Sequence, residues 1–379
     1  MTGMMDAVAL TRTLIGFDTI NPPGHERACA EHLGGLLEAA GFAVGYHAFA
    51  DDRTSLIATR GRRADLKPLC FTGHIDTVPL GAAPWTQDPF AGDVIDGKMY
   101  GRGTTDMKSG VAAFVAAAID MADSLDDSPG VVLVITAGEE TGCEGARHMA
   151  MSGVLGEAGA IVIAEPTSNY PFVGHKGALW LKGRTSGVTA HGSMPDRGVN
   201  ALYKAARAVA KLEDFDFNVA PHEVLGKPTL NVGTLHGGLN VNSVPDLAEV
   251  GIDIRTIPGM DHGRLREGLS GYLAPDVDTL DAFVDLDGIW TDPRNAWMSR
   301  VAAIASERLG EKIEVRTATY FTDGSILTPA YGQVPSMVLG PGEPAMAHQT
   351  DEYCYVDRIP EAVELYKAII SDWMTASVA

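Results

Sequence analysis

Cysteine is scarce in this chain: Cys29, Cys70, Cys143 and Cys354 are the only four in 379 residues, and none has CxxC spacing. A chain of this size needs no disulfide scaffold, so buried, unpaired thiols are expected. Positive charge is scarce too, with 29 Lys and Arg against 49 Asp and Glu and a formal net charge of −20. That excess repels phosphate backbones and anionic membrane surfaces, which argues against nucleic-acid and membrane partners. The longest apolar run, around Val111 to Ile119, falls far short of the ~20 residues a bilayer span requires. The opening residues MTGMMDAVAL lack a basic n-region and a long apolar h-region, so a cytoplasmic location is expected. Absent as well are the G-x-S-x-G elbow, the H-E-x-x-H helix and the G-x-x-x-x-G-K-[ST] phosphate loop. Gly101-Arg102-Gly103 lacks the third glycine of a dinucleotide turn.

The remaining composition, 45% hydrophobic and 21% charged, is ordinary for a globular protein. The length exceeds the ~250–300 residues at which one core stops growing, so two domains are expected. Helical and strand patterns alternate through the first part, the pattern of an α/β sheet covered by helices. Short buried strands are expected at Leu69–Thr72, Val131–Thr136 and Ala160–Ile163, and the turn Gly101–Asp106 feeds an apolar helix from Lys108 to Met121. From Lys176 the order becomes strand, helix, strand, strand, helix, strand, which is the split βαβ, ferredoxin-like unit. Residues 1–175 and 286–379 then form one α/β domain interrupted by an α+β insert at 176–285.

Four polar segments follow apolar strands or turns, and ligands of α/β sheets sit beyond the strand carboxyl ends. In Gly73-His74-Ile75-Asp76 the His and Asp are two apart and point to one side of an extended chain. A metal-bound imidazole usually gives its second N–H to a carboxylate, although a structural His–Asp hydrogen bond would look the same. Asp106 ends a glycine-rich turn before a helix, where it is either an oddly held ligand or an N-cap. Glu139 and Glu140 follow a buried strand, and adjacent like charges in a dry place call for a cation or a shared proton. One acid can ligate while the other accepts a proton, and a solvated loop pair is the alternative. Glu165 follows the apolar run Ile161–Ala164, and His348 lies in a loop near the C-terminus.

Two His with these carboxylates suit zinc and tolerate cobalt or manganese. If His74 and Glu165 hold one ion, Glu140 and His348 the other, and Asp106 bridges, three carboxylates and a hydroxide offset four positive charges.

The chain resembles the M20 metallopeptidases, the family of acetylornithine deacetylase and succinyl-diaminopimelate desuccinylase. The resemblance rests on GHIDTVP at 73–79, GRGTTDMKSG at 101–110, AGEETG at 137–142, AEP at 164–166, AHGSMPDRGVNA at 190–201 and AHQTDEY at 347–353. It implies a mixed-sheet catalytic domain that binds two divalent ions through His74, Asp106, Glu140, Glu165 and His348, and an inserted dimerisation domain that serves as a lid. It also implies Glu139 as general base, Asp76 as the group orienting His74, and His191 as the donor that reaches the neighbouring subunit's oxyanion in a homodimer. Substrate contacts implied are Arg255 and Asn242 at a carboxylate, with Gly324 and Ser325 at the far end. Arg255 has a structural ion pair as its alternative.

The reaction so implied is removal of an acetyl- or succinyl-type group from a small N-acyl amino acid, by a water that the ions activate. Glu165 matches the desuccinylase branch, but one methylene does not choose between acyl groups. An exopeptidase cutting dipeptides or C-terminal residues is the alternative, and a non-catalytic small-molecule binding protein is a third reading, opposed by the intact Glu139-Glu140 pair.

Overall fold

The computed structural model describes residues 4–61 and 66–376. It divides into two compact units, one of Met1–Gly174, Trp290–Ala318 and Thr322–Ala379, the other of His175–Ile289 with Thr319–Phe321. The second unit therefore runs past the 176–285 limits at both ends and takes in a short return segment.

The first unit holds a nine-stranded mixed sheet. At its centre four parallel strands lie in the order Val131–Thr136, Leu69–His74, Ala160–Ile163, Ser336–Val338. Every residue of the four is buried, which explains why they read as unbroken apolar runs. The hairpin Ala43–Ala50 and Arg53–Arg60 joins one side antiparallel to Val131–Thr136, and Phe172–His175 pairs antiparallel with Ser336–Val338 on the other.

The helix Ser109–Asp120 is apolar all round, with every residue from Ser109 to Ala118 buried, so it lies inside the core rather than on its surface. It packs against helices Ala7–Ile15 and Arg358–Ala376. Phe71 of the central strand meets the rings of Phe114 and Tyr366 at 6.0 and 5.3 Å, and each aromatic pair adds ~0.5–1.5 kcal/mol beyond area burial. Gly110 permits the close approach of this helix to the sheet, since a Cβ there would fall 2.1 Å from the Ala164 carbonyl oxygen. The turn bearing Asp106 is thereby brought to the strand end bearing Glu165. A small sheet of Tyr353–Tyr355, Lys98–Tyr100 and Val94–Ile95 ties the C-terminal loop to the same turn.

The second unit follows the order βαββαβ, with an antiparallel sheet arranged Thr229–Gly237, Leu247–Thr256, Gly177–Ser186, Thr279–Leu286. This is the ferredoxin-like arrangement. Its central strand Leu247–Thr256 alternates in burial, as a sheet with one covered face must. Helices Ala201–Glu213 and His262–Leu273 supply that cover, packing Ala205, Ala208 and Leu269 onto Leu181, Val250 and Ile252. Both helices start on side-chain caps, Asn200 accepting from the Tyr203 N–H and Asp261 from the Arg264 N–H. All four cysteines are buried and unpaired. Among the described residues no helix is long and apolar enough to cross a membrane.

Candidate metal centre

The carboxyl ends of the central parallel strands gather the polar residues. His74 closes its strand, Glu139 and Glu140 follow Val131–Thr136, and Glu165 lies just past Ile163. Asp106 sits on the turn before the buried helix, and its peptide bond to Met107 is cis. His348 occupies the loop between Pro344–Met346 and Tyr353–Tyr355 with φ 63, a left-handed angle costly for a residue with a Cβ and therefore held by its surroundings.

The two oxygens of Asp106 face two different imidazoles. His74 Nε2 is 3.1 Å from Asp106 Oδ1 and 3.7 Å from Glu165 Oε1. His348 Nε2 is 3.4 Å from Asp106 Oδ2 and 3.1 Å from Glu140 Oε2. Ligand atoms of His74, Asp106 and Glu140 lie within 4.8 Å of one another, as do those of His74, Glu139 and Glu165.

The electrostatics are those of an acid cluster in need of positive charge. Burial pushes Glu139 and Glu165 well above the usual carboxylate range, and burial with the nearby Asp106 charge raises Glu140. Asp106 goes the other way: burial opposes ionisation, but hydrogen bonds to His348 and His74 hold it low. Burial likewise disfavours a charged His74, yet Asp106 and Asp76 bring it well above its ordinary value. His348 is pushed up to about 10 by Asp106 and Glu140. Glu139 Oε1 and Glu140 Oε1 are buried with no hydrogen-bond partner. A buried carboxylate oxygen without a donor is costly, and a divalent cation is the group that would satisfy both. Imidazole nitrogens with carboxylate oxygens form a donor set that fits zinc, cobalt or manganese.

Asp76 supports this cluster from behind. His74 Nδ1 lies 2.9 Å from the Asp76 main-chain oxygen and 3.5 Å from its Oδ1. The same carboxylate accepts the Glu139 and Glu140 N–H groups at 3.1 and 3.2 Å. Despite complete burial Asp76 is held below its ordinary value, chiefly through His74 and Asn21.

Of the other expected site residues, His191, Asn242 and Arg255 belong to the second unit and Gly324 and Ser325 to the first. His191 and Asn242 are exposed on adjoining loops of the second unit, where the Gly192 N–H donates to the Asn242 carbonyl at 2.7 Å. Arg255 lies on the strand Leu247–Thr256 of that unit, between Trp180 and Phe321, with its Nε 2.9 Å from Asp253 Oδ1. Gly324 and Ser325 begin a buried helix of the first unit, where the Gly324 N–H donates to Thr322 Oγ1 at 3.0 Å.

Three residues that drew no role from the sequence belong to the centre's surroundings: Asn21, Asp323 and Glu352. Asn21 binds Asp76, and Asp323 accepts from Thr136 Oγ1. Burial pushes Asp323 up to about 6. Asp323 directly precedes the expected Gly324 and Ser325, and Glu352 stands inside AHQTDEY. Asn21 had no such signal.

A family model described as peptidase family M20/M25/M40 matches residues 70–372. A Staphylococcus epidermidis protein named "Probable succinyl-diaminopimelate desuccinylase" is 30% identical over 97% of this chain and 98% of its own. An acetylornithine deacetylase of Proteus mirabilis is 32% identical over 92% of this chain and 90% of its own. Among solved structures, an M20 family metallo-carboxypeptidase of Sulfolobus solfataricus superposes with a TM-score of 0.83 at 16% identity, covering 98% of this chain and 100% of that one. At that identity the likeness concerns the fold.

Proposed function

The chain belongs to peptidase family M20/M25/M40, and on that footing we propose that it hydrolyses the amide bond of an N-acyl amino acid, releasing an acetyl- or succinyl-type group. The observation that carries the reading is Asp106, whose two oxygens face His74 and His348 within a cluster holding two orphaned carboxylate oxygens. The names of the two curated relatives support the acyl substrate.

We assign His74 and Glu165 to one divalent ion, Glu140 and His348 to a second, and Asp106 to both. Such ions, zinc by donor chemistry with cobalt or manganese tolerated, would supply Lewis acidity at the acyl carbonyl and make water more acidic. Glu139 then takes a proton from the attacking water and passes it to the departing amine, so the products are a carboxylate and a free amino acid. Asp76 orients His74 and, through the Glu139 N–H, the base itself.

His191 is assigned as donor to the developing oxyanion, reaching the partner's centre in a homodimer as the family resemblance implies. Arg255 and Asn242 are assigned to the substrate carboxylate, for which a planar guanidinium gives two parallel hydrogen bonds. The substrate carboxylate would then compete with Asp253 for Arg255. Gly324 and Ser325 are assigned to the far end of the substrate.

The test is a panel of N-acetyl and N-succinyl amino acids beside dipeptides, run with zinc- and cobalt-loaded enzyme and with Glu139→Ala as control. Turnover of the acyl substrates, absent in the variant, is expected. Preference for dipeptides would move the assignment to an exopeptidase, and stoichiometric metal without any turnover would move it to a binding protein.

A further inference from the structure

We propose that Glu352 is a positioning residue that sets the Asp106 carboxylate against both imidazoles by gripping the backbone of the turn that carries it. The inference rests on the assignment of Asp106 as a shared metal ligand.

Glu352 is completely buried, and its carboxylate accepts from Arg102, Gly103, Thr105 and Asp106. Its Oε1 accepts the N–H groups of Thr105 at 2.8 Å, Asp106 at 3.0 Å and Gly103 at 3.1 Å. Its Oε2 accepts Arg102 Nη1 at 2.6 Å and shares the Gly103 N–H at 3.1 Å. Its main-chain oxygen accepts the Gly101 N–H at 2.9 Å. Successive N–H groups turned to one point form a nest that ordinarily takes an anion, and here a side chain from far along the sequence fills it. Bonds from N–H donors to a carboxylate are among the stronger protein hydrogen bonds, so the turn has one well-defined place.

Glu352 lies four residues beyond His348. The segment that presents His348 to Asp106 Oδ2 thus also holds the N–H of Asp106. Thr105 adds a second tie, donating from Oγ1 to the Tyr353 carbonyl at 2.7 Å. Arg102 extends the grip to the loop after His74, donating from Nη2 to the Pro79 carbonyl at 3.1 Å. Three loops bearing assigned ligands are therefore referred to one carboxylate. A buried ion pair alone is weak evidence for stability, and an apolar pair would fill the same space. What an apolar pair would not do is fix Asp106 relative to His348, and site geometry must hold to about half an ångström.

The experiment measures zinc affinity by chelator competition, steady-state kinetics at saturating zinc, and melting of the metal-free chain. The variants are Glu352→Gln, Glu352→Asp and Asp106→Asn. Outer groups of this kind cost ~10–100-fold in metal affinity when altered, and a loss of that size with lowered kcat and nearly unchanged KM is expected for both Glu352 variants. Glu352→Asp keeps the charge and shortens the reach, so it decides the matter if Glu352→Gln does not fold. Unchanged zinc affinity and kcat in Glu352→Asp overturns the proposal, as does a loss confined to melting temperature. If Asp106→Asn leaves zinc affinity unchanged, the ligand assignment fails instead.

Discussion

Asn21 donates its side-chain amide to Oδ2 of Asp76 at 2.9 Å and to Thr141 Oγ1 at 2.9 Å, so a residue near the start of the chain braces the carboxylate behind His74. Asp76 is completely buried and uses its remaining capacity on the Glu139 and Glu140 N–H groups. One carboxylate thereby holds an imidazole on one strand end and an acid pair on the next. Removing a hydrogen bond to a buried charge costs ~1.5–3 kcal/mol, and Asn21→Ala should lower the unfolding free energy of the metal-free chain by about that much. Urea unfolding checks it. Asp76→Ala should do more, cutting zinc affinity by ~10–100-fold, because both ligand loops lose their common anchor.

The neighbouring acids Glu139 and Glu140 should separate by readout. Glu139→Gln removes the proposed proton carrier and is expected to lower kcat by ~10²–10⁴-fold while the chain keeps its metal. Glu140→Ala removes a proposed ligand and should cost metal content first. Metal analysis of the two purified variants, set beside their kcat values, tests both. A Glu140→Ala chain that still carries two ions would remove the ligand assignment.

Much of the centre was legible because its residues stand where a pattern announces them. His74, Glu139, Glu140 and Glu165 follow apolar strands, and a carboxylate at the end of a dry strand is conspicuous against the run before it. The buried helix after Asp106 was legible for the same reason, as Ser109–Asp120 has no polar face. Pattern fails where a residue acts through contacts far away in the sequence. Glu352 meets Asp106 across 246 positions, and nothing local distinguishes it from a surface acid in a polar loop. Nor does the sequence signal the left-handed angle of His348, which tertiary contacts impose. The hairpin Ala43–Arg60 gave little signal because its outer strand, Ala43–Ala50, has no fully buried residue and its inner strand is buried on both faces over most of its length.

His348 gives the metal-free protein a pH dependence of known sign. Asp106 first, then Glu140, push its imidazole up to about 10 from the ordinary 6.5, against the pull of burial. A value raised on folding adds stability that is full below 6.5 and is lost as pH climbs toward about 10. Metal binding needs the neutral ring and runs the other way, so zinc affinity should rise with pH across this window. Calorimetric zinc titrations in two buffers of different ionisation enthalpy should report release of about one proton from this ring, and His348→Gln should reduce that release. Identical heats in both buffers would count against the account.

The last prediction concerns His191, whose ring stands exposed in the second unit. Its Nδ1 accepts the Ser193 N–H at 3.2 Å and lies 2.8 Å from Ser193 Oγ. A neutral ring that accepts at Nδ1 carries its proton on Nε2, so the free edge of the imidazole is a donor, as oxyanion stabilisation requires. Loss of one such donor costs ~2.7–4 kcal/mol of barrier, and His191→Ala should lower kcat by ~10²–10³-fold while metal content and melting hold steady. Whether the donor acts within its own chain or across a homodimer is decided by mixing. Chains of His191→Ala and Glu139→Ala are each inactive alone, but a mixed dimer acting across subunits pairs an intact Glu139 with an intact His191 at one of its two centres. Random mixing makes half of the dimers mixed, so roughly a quarter of the wild-type activity should return under two-fold symmetry. If the mixture stays as inactive as its components after subunit exchange, His191 does not serve a partner's centre.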